Sequence, residues 1–374
     1  MPRRKLVVDL LGFTGARGGT ETHVRELLPR VSALLHDTEI ITLTGRAGAA
    51  AVREFAPGEL RVLRSVGPGK ASWAWGALAA VPRIAARLDA DLLWCPANFG
   101  PVSGRVPTVL SVHDAIYRSV PGTGIDRVTR RAIGALVAGA ARRATTVLTV
   151  SEAARLDIEQ HLGVERDRIV VVPNGASKPP ATPTQGARER LGLPTGRPIV
   201  MSIGNPMPHK NLAGLVRAVA AVPPDTRPYA VIVGEGVPES LRLLVAELDV
   251  GSDVTLLGWV EGEVLEDVYA AADMYACVSL SEGFGLPVVD AMQRSVAVLA
   301  NDIPVLREVG GDAAVYADAR DPKAFARALV TLHDDPDELS NRRASGLRRA
   351  RRFDWQTTSV GIANVLLSAL SVDP

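Results

Sequence analysis

Short apolar runs alternating with stretches of helical periodicity constrain this chain more than any other feature. Residues 6–10, 40–43, 91–95, 108–112, 146–150 and 168–172 are apolar or β-branched runs of strand length, bounded by glycine, proline or charge. Between the first two, Val24, Leu27, Leu28, Val31 and Leu35 recur at the spacing of one helix face. The second half repeats the alternation with runs at 198–203, 229–233, 253–257, 274–278 and 296–300. There Leu212, Leu215, Val216 and Val219, then Val264, Leu265, Val268 and Tyr269, fall at helical spacing. Strands alternating with helices predict an α/β architecture of open parallel sheets with helices on both faces. In such sheets ligands bind at the carboxyl ends of strands.

At about 150 residues per domain, 374 residues predict two or three domains. An apolar content of 47% supports full cores rather than disorder. A net charge of +1 argues against a polyanion-binding role, so no nucleic-acid partner is expected. Cys95 and Cys277 fall in separate strand-like runs and read as buried thiols, not as a disulfide or a metal site. The apolar run after Met1-Pro2-Arg3-Arg4-Lys5 is too short for a secretory leader, and no run approaches the roughly 20 residues that span a bilayer. A cytoplasmic protein is the expectation. Residues 176–187, ASKPPATPTQGA, lack apolar periodicity and read as a linker. The expected division is an N-terminal domain over 1–175, a linker over 176–196, a second domain over 197–352 and a closing helix over 353–374.

Three strand ends in the first half are polar: His113-Asp114, Ser151-Glu152 and Pro173-Asn174-Gly175. In a row they outline one face of a ligand site. A glycine loop through Gly12, Gly15, Gly18 and Gly19 joins the first strand to the first helix, without the GxGxxG spacing. Thr20 sits where an N-cap belongs, and Glu21 suits the helix dipole. Trp73 and Trp75 lie in a Gly-rich stretch read as a loop, where they either line an acceptor site or simply pack. The Arg-flanked run 132–141 reads as a helix covering the sheet, with peripheral membrane contact as the most it offers a bilayer. Asp89-Ala90-Asp91 precedes a strand with no supporting acid, so it reads as a strand start and no metal site is expected.

The most informative stretch of the second half is 281–292, SEGFGLPVVDAM. Pro287 suits a first helical turn, and Gly283 and Gly285 leave bare amides just before it. A helix N-terminus with free amides is a ready phosphate site. Glu282 and Asp290 bracket it, placed to hold hydroxyls on either side of a phosphate, which is the layout of a nucleotide-sugar. Lys210, in Gly204-Asn205-Pro206-Met207-Pro208-His209-Lys210-Asn211, opposes the dipole of the helix that it precedes, which makes sense if it faces an anion.

These stretches resemble the retaining GT-B glycosyltransferases, in particular glycosyltransferase family four, with the strongest likeness over 204–211 and 281–308. The resemblance implies a GT-B fold: two doubly wound, Rossmann-like domains facing a central cleft that closes on the donor, the closing helix crossing back to the first domain. It implies transfer of a sugar from a nucleotide-diphosphate sugar to an acceptor hydroxyl with retention, that sugar being a co-substrate and no cofactor being needed. By the same likeness Glu282 contacts the donor sugar, Asp290 the ribose, and Lys210 the diphosphate. His113 orients the sugar and acceptor, and with Lys210 and Glu282 completes the catalytic set. The loop at Gly18 and Gly19 meets the donor phosphate, and Gly258-Trp259-Val260 lies near the base. Asn205, His209, Gly283, Phe284, Gly285 and Leu286 complete the donor side; Asp114, Asn98, Trp73 and Trp75 fall on the acceptor side. The chain departs from the family at Asp290, where a Glu is usual, at His209, where Arg is common, and at Asn205, where many members have another Arg. Donors based on GDP, UDP or dTDP stay open, as does a small-molecule or glycan acceptor. A sugar-nucleotide epimerase and a non-catalytic nucleotide-binding paralogue are the alternatives. A glycoside hydrolase is disfavoured, because eight residues of helix set the two acids about 12 Å apart, beyond the roughly 5–9.5 Å such enzymes use.

Overall fold

The computed structural model describes residues 3–15, 18–67, 69–119, 124–179 and 185–371. The chain divides into two compact units, one of residues 1–175 with 354–374 and one of residues 176–353. In the first, β1 (Arg4–Leu10), β2 (Thr38–Gly45), β3 (Glu59–Leu63), β4 (Leu92–Cys95), β5 (Thr108–Ser111), β6 (Thr146–Thr149) and β7 (Ile169–Val171) form a parallel sheet in the order β3-β2-β1-β4-β5-β6-β7. In the second, β8 (Ile199–Ile203), β9 (Tyr229–Val233), β10 (Val254–Leu257), β11 (Met274–Cys277), β12 (Ala297–Asn301) and β13 (Val315–Ala317) form a parallel sheet in the order β10-β9-β8-β11-β12-β13.

The apolar runs become central strands because both of their faces are covered. Leu6, Val7 and Val8 in β1 and Met274, Tyr275 and Ala276 in β11 are buried without a break. Each sheet reverses strand order once, between β1 and β4 and between β8 and β11. A reversal opens a crevice beyond the carboxyl ends of its two strands, where the helices leave to opposite faces. In the second unit the loops that carry Lys210 and Glu282 leave the two strands of this reversal, β8 and β11.

Sequence reading passes over two strands, β3 and β13. Both are edge strands with one neighbour, so they need no continuous apolar run; β3 carries Glu59 and Arg61 toward solvent. Three local readings are corrected. Trp73 and Trp75 sit on a helix, Lys70–Trp75, not in a loop, with Trp73 packed against the apolar core and Trp75 exposed. The first helix, Gly19–Leu34, has Gly18 at its cap position and no side-chain cap, so Thr20 is inside it. Ser151 is wholly buried and caps the helix Glu152–Leu162, accepting from the Ala154 amide at 3.0 Å, while Glu152 pairs with Arg155.

Asp91 accepts from the Lys5 amide at 2.7 Å, which ties the start of β4 to that of β1. Cys95 and Cys277 are free thiols; burial pushes both up, Cys277 to about 12, so neither is a nucleophile at neutral pH. Among the described residues no helix is long and apolar enough to cross a membrane.

Candidate functional site

In the second unit the loops leaving β8 and β11 meet. Pro208–Lys210 forms one tight turn, and Asn211 follows in the left-handed region before the helix Leu212–Ala220. The Leu280 amide donates to the His209 carbonyl at 2.7 Å, joining the two loops. Across that junction Lys210 Nζ lies 2.6 Å from Glu282 Oε1. Their side chains are 18% and 11% exposed, so the pair is mostly shielded but still reaches solvent. Charge opposition 72 residues apart in sequence thus becomes a single ion pair at the strand-order reversal.

The turn after Glu282 is built for close approach. Gly285 has φ +89°, and a Cβ there would meet Leu306 Cδ2 at 3.0 Å, so glycine is required just before the helix Leu286–Gln293. Phe284 is buried, its ring edge-on to Phe353 at 5.5 Å. Its side chain therefore fastens the loop, and only its amide is left for a ligand. Asn301 at the end of β12 does similar work: it donates to the Ser279 carbonyl at 2.9 Å and accepts from the Ala319 amide at 2.9 Å. Sequence reading gave Asn301 no role; a polar residue ending a fully buried strand is the signal for it.

Asp290 is placed differently from a solvated helix-start acid. Its Oδ1 accepts from the Ser177 amide at 2.8 Å, and its side chain is 19% exposed. Burial is the largest influence on it and raises its pKa to about 6, against the lowering effect of that amide and of Arg294. Arg294 grips Glu266 through two bonds of 2.6 and 2.7 Å, stacks over Tyr269 and donates to the carbonyls of Asp290 and Ser177. The start of the predicted linker is thus fastened to the helix that carries Asp290. Farther along, Arg188 and Arg190 of the helix Ala187–Arg190 bind Asp273 and Asp267. Residues 180–184 of that linker lie outside the described residues.

Other donor-side expectations are scattered. Asn205 is exposed, and Gly258 and Trp259 are exposed at the carboxyl end of β10; Val260 is half-buried beside them. His209 is buried, so it is Lys210 that reaches the acidic loop.

In the first unit the first helix and the segments that follow β5 and β7 bring two histidines and Asn174 together. His113, just past β5, is buried, with Nε2 3.0 Å from the Pro96 carbonyl. Its amide donates to Asn98 Oδ1 at 2.7 Å, so Asn98 braces the end of β5 from a left-handed backbone position. Asp114 accepts from the Ile116 amide at 3.2 Å and starts the next turn. Burial holds the His113 pKa below the ordinary histidine value, so the ring is neutral at pH 7. The glycine loop after β1 is drawn in by Glu21, whose Oε1 accepts from the Thr14 amide at 3.1 Å; Gly18 and Gly19 end it at the helix start.

Sequence reading missed His23. It lies four positions before Leu27 on the buried stripe of the first helix and is 2% exposed. Its ring stands edge-on to His113, 4.5 Å between centroids, and its Nδ1 is 2.7 Å from Asn174 Oδ1. A histidine on an otherwise apolar helix face was the available signal.

Residues 17–177 match the family described as Glycosyltransferase Family 4, and residues 184–349 match Glycosyl transferases group 1. A D-inositol 3-phosphate glycosyltransferase of Nocardia farcinica is 35% identical over 237 residues, 60% of this chain and 52% of that protein. One of Streptomyces avermitilis is 29% identical over 96% of this chain and 84% of its own length. The chain spans about half the length of the first curated relatives that it matches. Among solved structures, Anabaena HepE in complex with UDP and glucose superposes with a TM-score of 0.76 at 20% identity, over 98% of this chain and 100% of that one. The shared fold is GT-B.

Proposed function

We propose that this chain, which belongs to the group 1, family-4-like glycosyltransferases, transfers a sugar from a nucleotide-diphosphate donor to an acceptor hydroxyl with retention of configuration. The observation that carries the reading is the Lys210–Glu282 pair at the reversal of the second sheet, beside the helix start at Leu286. Breaking a sugar–phosphate bond builds negative charge on the departing diphosphate and positive charge on the sugar. Lys210 and the amides of 283–286 meet the first, and a carboxylate at Glu282 holds the sugar by its hydroxyls. Asp290, with Oδ1 taken by Ser177, offers Oδ2 to a ribose hydroxyl. His113 orients the transferred sugar.

The donor base is proposed to be uracil first, because HepE with UDP shares the fold; GDP- and dTDP-sugars are the next probes. The acceptor is proposed to be a small polyhydroxylated molecule or glycan, with inositol phosphate tried first because the curated relatives carry that substrate in their name. Incubation with a panel of nucleotide-sugars and acceptors, read by mass spectrometry, tests the reading. Glycosylated acceptor with retained configuration supports it. A changed donor sugar without transfer would identify an epimerase, and binding without turnover a non-catalytic paralogue.

Lys210 supplies the cation that a metal supplies in other transferases, so the proposed reaction needs neither metal nor cofactor. Activity is expected to survive excess chelator. Complete loss, restored by manganese, would reject that assignment.

A further inference from the structure

We propose that His23 is a positioning residue for His113, an inference that rests on reading His113 as the group that orients the sugar. Both rings have their hydrogens assigned by their partners. The Pro96 carbonyl only accepts, so the His113 nitrogen facing it at 3.0 Å is Nε2–H. Asn174 presents its carboxamide oxygen at 2.7 Å, so His23 Nδ1 carries the hydrogen there. Each neutral ring is thereby held in one tautomer, His113 with its lone pair on Nδ1 and His23 with its lone pair on Nε2. That His23 Nε2 is buried and has no hydrogen-bond partner among the described residues, a cost that a residue serving packing alone would not need.

The support behind His23 is rigid. Asn174 is buried, and a Cβ at Gly175 would lie 2.4 Å from the Trp355 amide nitrogen, so the chain there is pressed against the start of the closing helix, Trp355–Ser371. Thr358 of that helix donates to the Pro173 carbonyl at 2.7 Å. The Trp355 ring stands 6.1 Å from His23 on the side of the closing helix. His113 is therefore clamped between the Pro96 carbonyl and a ring whose own rotation is stopped by Asn174. An edge-to-face pair of this kind favours one mutual orientation. Releasing His23 from Asn174 frees that ring to turn and removes the wall that holds His113 against the Pro96 carbonyl, so the His113 ring can swing off the acceptor that fixes its tautomer and exchange it.

The test is nitrogen NMR of the histidine rings on the full chain, for the native protein and for His23→Phe, Asn174→Ala and Asn174→Asp. His23→Phe keeps an aromatic ring but cannot donate, Asn174→Ala removes the acceptor, and Asn174→Asp keeps an acceptor oxygen. The native protein and Asn174→Asp are expected to show His113 as a single Nε2–H tautomer, and the other two a mixture of both tautomers. Should His23→Phe fail to fold, Asn174→Ala decides alone. A single His113 tautomer in every variant, or the same mixture in Asn174→Asp as in Asn174→Ala, overturns the inference. His113→Ala assayed separately for transfer addresses the reading beneath it: normal turnover there would remove His113 from the chemistry while leaving the NMR result standing.

Discussion

Lys210→Ala is expected to lower kcat by about 100-fold or more, the usual loss when one electrostatic donor to a developing charge is removed. The charge on the diphosphate grows as the sugar leaves, so the effect falls on kcat more than on donor KM. Glu282→Ala is expected to lose turnover to a similar extent, for want of a hold on the sugar. From sequence, neither change should touch folding, since neither residue belongs to an apolar face. The structure adds a cost: either change leaves a partner unpaired at a site where the two side chains are only 18% and 11% exposed. Stability should fall by about 1–3 kcal/mol in each single variant. The double variant, with both charges gone, is expected to recover part of that loss in thermal unfolding while staying inactive. Near-native turnover in either single variant would remove that residue from the site, and a double variant less stable than both singles would deny that the pair matters to folding.

Asp290→Asn is expected to stabilise the free protein and weaken nucleotide binding, two effects of opposite sign. The folded-state pKa of Asp290 is raised from 3.8 to about 6, chiefly by burial. A raised carboxyl pKa favours the folded state while the group is protonated. That advantage is full below about pH 3.8 and is lost as pH rises through about 6. At pH 7 the native protein carries a partly buried charge that Asn does not. At 1.36 kcal/mol per pKa unit, discounted because the side chain is one-fifth exposed, this amounts to about 1–3 kcal/mol. Asn still offers Ser177 an oxygen, so the local fold is kept. Thermal unfolding of both forms from pH 4 to pH 7.5 should show the variant gaining on the native protein across pH 4–6.5. A charge-assisted hydrogen bond contributes about 1.5–3 kcal/mol, so calorimetry with UDP should show affinity reduced roughly 10- to 100-fold. Normal nucleotide binding by the variant would make Asp290 a structural acid and end its ribose assignment. A stability difference that does not change with pH would deny the raised pKa.

The sequence stretches that proved easiest to read are those in which one physical requirement acts locally. The Tyr229–Val233 strand is legible because a buried parallel strand must be apolar at successive positions. The helix Leu286–Gln293 is legible because Pro287 tolerates only its first turn and Gly285 a left-handed backbone. The edge strand β3 is not legible, because Glu59 and Arg61 interrupt its apolar run, whereas the edge strands β7 and β10 keep theirs and are read. Nor was the helix holding Trp73 and Trp75, where the neighbouring glycines suggested a loop and packing of Trp73 against the core overrode them.

What sequence alone determined is the set of chemical types and the strands at whose ends they lie: an acid-bracketed helix start, one lysine ahead of a helix, a histidine after a buried strand. Those follow from short-range rules of backbone conformation and burial. Tertiary structure alone decided which of them meet. Lys210 reaches Glu282 only because β8 and β11, distant in sequence, are neighbours where the sheet reverses its order. Asp290 acquires its raised pKa only because the fold buries it, against the lowering pull of the Ser177 amide and of Arg294, and a solvated acid of the same sequence would keep an ordinary value. His23 joins His113 and Asn174 only because the first helix lies along the ends of strands that begin far down the chain. Burial and long-range pairing depend on which elements are adjacent, and adjacency is a property of the whole sheet that no single stretch of residues carries.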